Sequence, residues 1–247
     1  MKKSQKLAVV QKHYKHAIST IDLFNRIIEY IEDDLDAETN KVMLADSWCS
    51  DDVNSIQYPV RASEFLGPFK LGGLDGYPFV GASGMSAFAG HVPTDGLALV
   101  MFGPHIGVSL DGTLGSIHRI GQEEKTGCCG AASLGLSKLL KNELVAGQIS
   151  EMDYQMNVLE QIMLRQYSRI AKSDLPVKEA TDVIYEAIEK RILELISLTK
   201  FKCKYLMLVG VVLINSDPQI GSFSQPRYAK LIDLETNEER ELISLFE

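Results

Sequence analysis

Residues 205–214 read YLMLVGVVLI, with no charged or amide side chain at either strand parity. Side chains alternate between the two faces of a strand, so a run that is apolar at every position must be covered on both sides. Its Val and Ile residues suit a pleated strand, and ten residues is half of what a membrane-spanning helix needs. Lys204 precedes the run and Asn215-Ser216-Asp217-Pro218 ends it. Such a strand belongs inside a sheet with layers above and below. Residues 228–234 are a shorter candidate to pair with it.

The rest of the chain supplies the layers. Residues 1–36 contain neither Gly nor Pro, and Leu7, Val10, Tyr14, Ala17, Ile21, Phe24, Ile28 and Ile31 recur at three- and four-residue steps. That period predicts one N-terminal amphipathic helix, ending near Glu32-Asp33-Asp34, where acidic residues oppose the helix dipole. In residues 150–247, Met152, Met156, Leu159 and Met163 form a second stripe. Asp174-Leu175-Pro176 opens a third helix, buried through Val177, Ala180, Ile184, Ile188, Ile192 and Leu195. The expected fold is α/β, a single domain over residues 1–247 with a mostly internal sheet flanked by helices.

Residues 41–147 differ in character, holding 17 of the 19 glycines. Val42–Ser47, Leu97–Phe102 and residues 106–110 are short apolar runs bounded by Gly or polar residues, and read as buried strands. Glycine at this density implies tight turns and close backbone approach, so function is expected here. The glycines match neither G-x-x-x-x-G-K-[ST] nor G-x-G-x-x-G, which weakens a nucleotide-binding reading. A net charge of −8 argues against nucleic acid. No membrane span and no signal-peptide apolar core are visible, and four cysteines are too few for a disulfide scaffold at this length. A cytoplasmic protein with reduced thiols is expected.

The histidines and cysteines sort by context. His13 and His16 lie one turn apart between Lys12 and Lys15, which would repel a cation, and read as a solvated face. Cys203 reads as a buried thiol. Cys49 follows the strand Val42–Ser47 and precedes Asp51 and Asp52, and His105 follows the strand Leu97–Phe102. Cys128 and Cys129 lie in TGCCGAASLGLSKLLKN, a turn leading into a helix whose dipole favours a thiolate. Strand ends are where α/β sheets place ligands. Two Cys, one His and an open fourth position make a catalytic zinc arrangement. Spacing alone leaves open three buried thiols with a core His, and a Cys129 nucleophile with His105 as base.

The strings DSWCSDDVN (46–54), FKLGGLDGYPFVG (69–81), HVPTDG (91–96), FGPHIGVSLDGTLG (102–115) and CCGAA (128–132) together resemble the limiting-CO2-inducible protein family. Members of that family look like β-class carbonic anhydrases. The resemblance implies a homodimer that holds zinc through Cys49, His105 and Cys129, and hydrates CO2 reversibly to bicarbonate by a zinc-bound hydroxide. Cys128 is the alternative to Cys129, and His91 the alternative to His105. In the β class an Asp two residues after the first Cys orients the reacting oxygen and pairs with an Arg two positions further on. Asp51 matches that Asp, but Val53 stands where the Arg would be, so either Arg61 or Arg119 supplies the guanidinium from elsewhere, or Asp51 binds the metal and closes the site. Arg61 is taken as the catalytic partner. Phe79, Val80, Phe88 and Phe102 are expected to line a CO2 channel. The resemblance also admits a catalytically inactive relative that binds zinc or bicarbonate or joins a larger complex.

Overall fold

The computed structural model describes residues 3–54, 58–218 and 222–247, and the side chains from residue 7 onward. The chain begins with α1 (Lys3–Gln11), β1 (Ile18–Ser19) and α2 (Thr20–Glu29). The glycine-rich zone carries β2 (Val42–Ser47), β3 (Leu66–Lys70), α3 (Gly81–His91), β4 (Leu97–Phe102), β5 (His105–Val108), the hairpin β6 (Ser116–His118) and β7 (Lys125–Gly127), and α4 (Gly130–Leu140). The last part holds α5 (Tyr154–Arg165), α6 (Tyr167–Ala171), α7 (Pro176–Ser197), β8 (Tyr205–Ser216), β9 (Phe223–Asp233) and β10 (Glu239–Glu241).

The main sheet runs β1-β9-β8-β4-β2-β3, with β10 on β9 and β5 also on β8. β3, β2, β4 and β8 are parallel, while β9 is antiparallel to β8. β8 is thus internal, as its apolar run requires. Its alternate residues serve two cores. Leu206, Leu208, Val212 and Ile214 face α3, α4, α5 and α7, whereas Met207, Val209, Val211 and Leu213 face α2. The pairing strand expected at 228–234 is the longer β9, which starts at Phe223.

Two expectations are corrected. The N-terminal segment is not one helix. Val10, Tyr14 and Ala17 belong to the core on one face of the sheet, and Phe24, Ile28 and Ile31 to the core on the other. A single helix cannot reach both, so the chain crosses the sheet edge through β1, which pairs Ile18 with Ser224. Ser19 then caps α2 by accepting from the Asp22 N–H at 3.1 Å. The α-helix gives way to a π-helical turn at Tyr30–Asp34, close to the predicted stop. In the second stripe, Met156, Leu159 and Met163 are buried, but Met152 is exposed in the turn before α5.

β4 and β5 form one interrupted strand beside β8. β4 pairs with Tyr205 through Gly210, and β5 resumes pairing at Leu213. The break is at Gly103, whose φ is +149° and where a Cβ would sit 1.7 Å from the Val211 carbonyl oxygen. Only glycine fits there. At Gly76, φ is +76° and a Cβ would meet the Gly103 oxygen at 2.2 Å, so the turn Leu74–Gly76 docks directly on this break. Among the described residues, no helix is long and apolar enough to cross a membrane.

Candidate metal centre

The parallel strands β2, β4 and β8 point their carboxyl ends the same way, and the candidate residues gather at that edge. Cys49 lies two residues beyond β2, His105 opens β5, and Cys129 is the N-cap of α4. Their ligating atoms all lie within 4.8 Å of one another, and all three residues are buried. Asp51, His105 and Cys128 form a second such group.

The first group fits a tetrahedral zinc. The Cys49 and Cys129 sulfurs are 3.9 Å apart, close to the ~3.8 Å edge expected of a tetrahedron with Zn–S bonds of ~2.3 Å. His105 Nε2 is buried with no hydrogen-bond partner, as a nitrogen awaiting a metal should be. The second group is already engaged, because both Asp51 oxygens are held by Arg119.

That pairing is bidentate. Arg119 donates from its two terminal nitrogens to Asp51 Oδ1 and Oδ2, each at 2.9 Å, and also to Asp52 Oδ1 at 2.6 Å. Its Nε donates to Thr126 on β7, so the hairpin carries the guanidinium to the site. Burial opposes the Asp51 charge, but the Arg119 hydrogen bonds outweigh it and bring the carboxyl down to about 2. Asp51 Oδ2 lies 4.0 Å from His105 Nε2. Arg61 does not serve as its partner. It pairs instead with Glu32 and, at 3.8 Å, with Glu29, on the exposed flank beside α2. The motif's missing Arg at Val53 is thus replaced by one 68 residues downstream of Asp51.

The two sulfurs lie within hydrogen-bond reach of each other. That contact with Cys129 holds Cys49 well below the ordinary thiol value against the opposing effect of burial. The same contact, with burial, pushes Cys129 well above it. The Asp75 N–H adds a hydrogen bond to Cys49 Sγ at 3.1 Å. Burial disfavours a charged His105 ring, but contacts with Cys128 and Cys49 outweigh that and raise it.

Two further site residues escaped the sequence reading. Asp75 is fully buried in the turn docked at Gly103, and its Oδ1 accepts the His105 N–H at 3.2 Å while Oδ2 has no partner. Burial pushes this carboxyl up to about 7. Asn215, on β8, has its Oδ1 2.7 Å from His105 Nδ1. Asp75 sits in one of the quoted motif strings, where a lone acid in a Gly-rich turn gave a weak signal. Asn215 sits in the string that was read only as a strand end.

The remaining candidates lie elsewhere. His91 ends α3, exposed, with its ring 5.8 Å from Phe69. His13 contacts the Gly112 carbonyl, and Cys203 is buried with its sulfur against Tyr205 O. Cys128 is buried 3.6 Å from both His105 Nδ1 and Asn215 Oδ1. The four residues expected to line a CO2 channel are not among those lining the small cavity beside the cysteines. Phe102 packs on Tyr185, Phe88 on Phe69 and Phe201, and Phe79 on Tyr77 and Tyr154, while Val80 leads into α3. The small apolar cavity behind the cysteines is lined instead by Ile106, Ala132, Leu136, Val177 and Ala180.

A family profile described as limiting CO2-inducible proteins B/C, β carbonic anhydrases, matches residues 18–233, and the chain belongs to this family. Among solved structures, it is similar to PtLCIB4, a homologue of the limiting CO2-inducible protein LCIB. That match has 23% identity and a TM-score of 0.82, over 95% of this chain and 98% of that one. LCIB itself aligns at 18% identity and a TM-score of 0.66, over 93% of this chain and 95% of that one. These likenesses establish the shared α/β fold. Curated protein sequences yield no match.

Proposed function

We propose that the protein is a zinc-dependent carbonic anhydrase that interconverts CO2 and bicarbonate, acting as a cytoplasmic homodimer. The observation that carries this reading is the buried Cys49, His105 and Cys129 cluster beside a carboxylate locked on Arg119. Zinc held by these three residues would supply a Lewis acid that makes water nucleophilic near neutral pH.

The chain's own residues do the rest. Asp51 stays ionised and has both oxygens anchored on a guanidinium, so it can accept a hydrogen bond from the attacking water and orient it. The same anchor would hold Asp51 back from a metal bound by Cys49, His105 and Cys129. The burial of Cys49, His105 and Cys129 keeps bulk water away from the sulfurs.

The thiol-nucleophile reading is weaker. Cys129 does sit at a helix N-terminus, but its thiol is buried and held above its ordinary range. The nitrogen of His105 that has a partner faces Asn215.

The test is stopped-flow CO2 hydration with zinc quantified in the same sample, alongside Cys49→Ala. One zinc per chain with hydration, both lost in the variant, is the expected result. Zinc without hydration would favour the inactive relative, and absence of zinc would sink the metal reading.

A further inference from the structure

Asn215 lies at the carboxyl end of the longest strand and touches two of the loops that build the site. Its Nδ2 donates to the Val53 carbonyl at 3.1 Å and to Asn54 Oδ1 at 3.2 Å, in the turn that follows Asp51 and Asp52. Its Oδ1 faces His105 Nδ1 at 2.7 Å, with the Cys128 sulfur 3.6 Å away.

These contacts form a chain of necessity. A backbone carbonyl can only accept, so the Val53 oxygen requires the amide nitrogen of Asn215 on its side. The amide oxygen must then face the imidazole. An amide oxygen also only accepts, so a 2.7 Å contact requires the hydrogen on His105 Nδ1. In the neutral ring that leaves the lone pair on Nε2. This is the buried nitrogen without a partner, and metal-ligating histidines commonly have their other nitrogen fixed in this way.

We infer that Asn215 is a positioning residue that sets the tautomer of His105, turning Nε2 toward the metal and tying the ring to the Asp51 turn. The metal part of this inference rests on the zinc reading above, whereas the tautomer part stands without it.

Two measurements test it. Long-range 1H–15N spectra of the metal-free protein, at a pH where the ring is neutral, report which nitrogen of His105 carries the hydrogen. The wild-type protein should show Nδ1–H. Asn215→Leu, which keeps the branching and the number of heavy atoms but removes the acceptor, should shift the hydrogen to Nε2 or give a mixture. Asn215→Asp, which keeps an acceptor but not the donors to Val53 and Asn54, should retain Nδ1–H. Chelator-competed zinc affinity should fall about ten- to hundredfold in Asn215→Leu and lie nearer wild type in Asn215→Asp. Combining Asn215→Leu with His105→Ala should cost no more than His105→Ala alone, since Asn215 acts through that ring.

A wild-type ring with its hydrogen on Nε2 would overturn the inference without need of any variant. So would an Asn215→Leu protein whose tautomer and zinc affinity match wild type, or losses that add fully in the double variant. An Nδ1–H ring in a protein that takes up no zinc would support the assigned tautomer and sink the carbonic anhydrase reading alone.

Discussion

Asp75→Asn should make the metal-free protein more stable at neutral and alkaline pH and leave it nearly unchanged in acid. Asp75 is fully buried, and burial raises its carboxyl to about 7 from an ordinary value of 3.8. A group whose folded value is raised favours the folded state below the unfolded value, and that contribution is lost as pH rises through the folded value. The wild-type protein should therefore lose stability between about pH 4 and pH 7. A shift of about three units at ~1.36 kcal/mol each amounts to about 4 kcal/mol. Asparagine keeps the oxygen that accepts the His105 N–H and carries no charge. It also tolerates the left-handed backbone at this position, where φ is +49°. The assay is reversible urea unfolding after chelation, from pH 4 to pH 8, for both proteins. Titrating groups remote from Asp75 cancel in the difference, whereas His105, Cys49 and Cys129, whose charges couple to it, contribute to the divergence. Curves that stay parallel across this range would refute the argument, because the variant must diverge from wild type as pH rises.

Four further outcomes are expected. Arg119→Leu should lower CO2 hydration by about ten- to hundredfold while zinc content is kept, whereas Arg61→Leu, which loses only an exposed pairing with Glu32 and Glu29, should leave hydration within about twofold of wild type. Gly103→Ala should destabilise the protein by more than about 3 kcal/mol, read by denaturant titration, because the new methyl group meets the Val211 carbonyl in a backbone region closed to alanine. Zinc affinity, measured by chelator competition, should rise with pH above neutrality, since zinc must displace the protons that the site holds on Cys129 and His105. Removing zinc should also lower the melting temperature, by an amount that grows with the free zinc present in the reference sample.

Much of the architecture was legible because it depends on local pattern. The run at 205–214 required an internal strand, and Val42–Ser47 and Leu97–Phe102 are strands over those same residues. Pro176 opens the long helix α7. These signals concern which faces must be covered, and the hydrophobic effect enforces that wherever the chain goes. The N-terminal segment defeated the same reasoning. Periodicity records that a residue is buried and not which core buries it, and Val10 and Phe24 are buried on opposite faces of the sheet.

The site divides along the same line. Residue type, position after a strand and the family motifs singled out Cys49, His105, the Cys128-Cys129 pair and Asp51, because the chemistry of a thiol, an imidazole or a carboxylate belongs to the residue itself. Partnership belongs to the fold. Arg119 reaches Asp51 because the β6–β7 hairpin folds over the site, while Arg61, far nearer in sequence, is captured by Glu32. Asn215 meets His105 across 110 residues because β5 lies parallel to β8. The break at Gly103 exists so that one strand can leave β8 and rejoin it, and the turn bearing Asp75 docks there. By itself the sequence determined which residues carry chemistry and which segments must be buried. Only the tertiary structure decided which oxygen, nitrogen and sulfur atoms face one another, since those distances are set by strand register and loop docking between segments far apart in the chain.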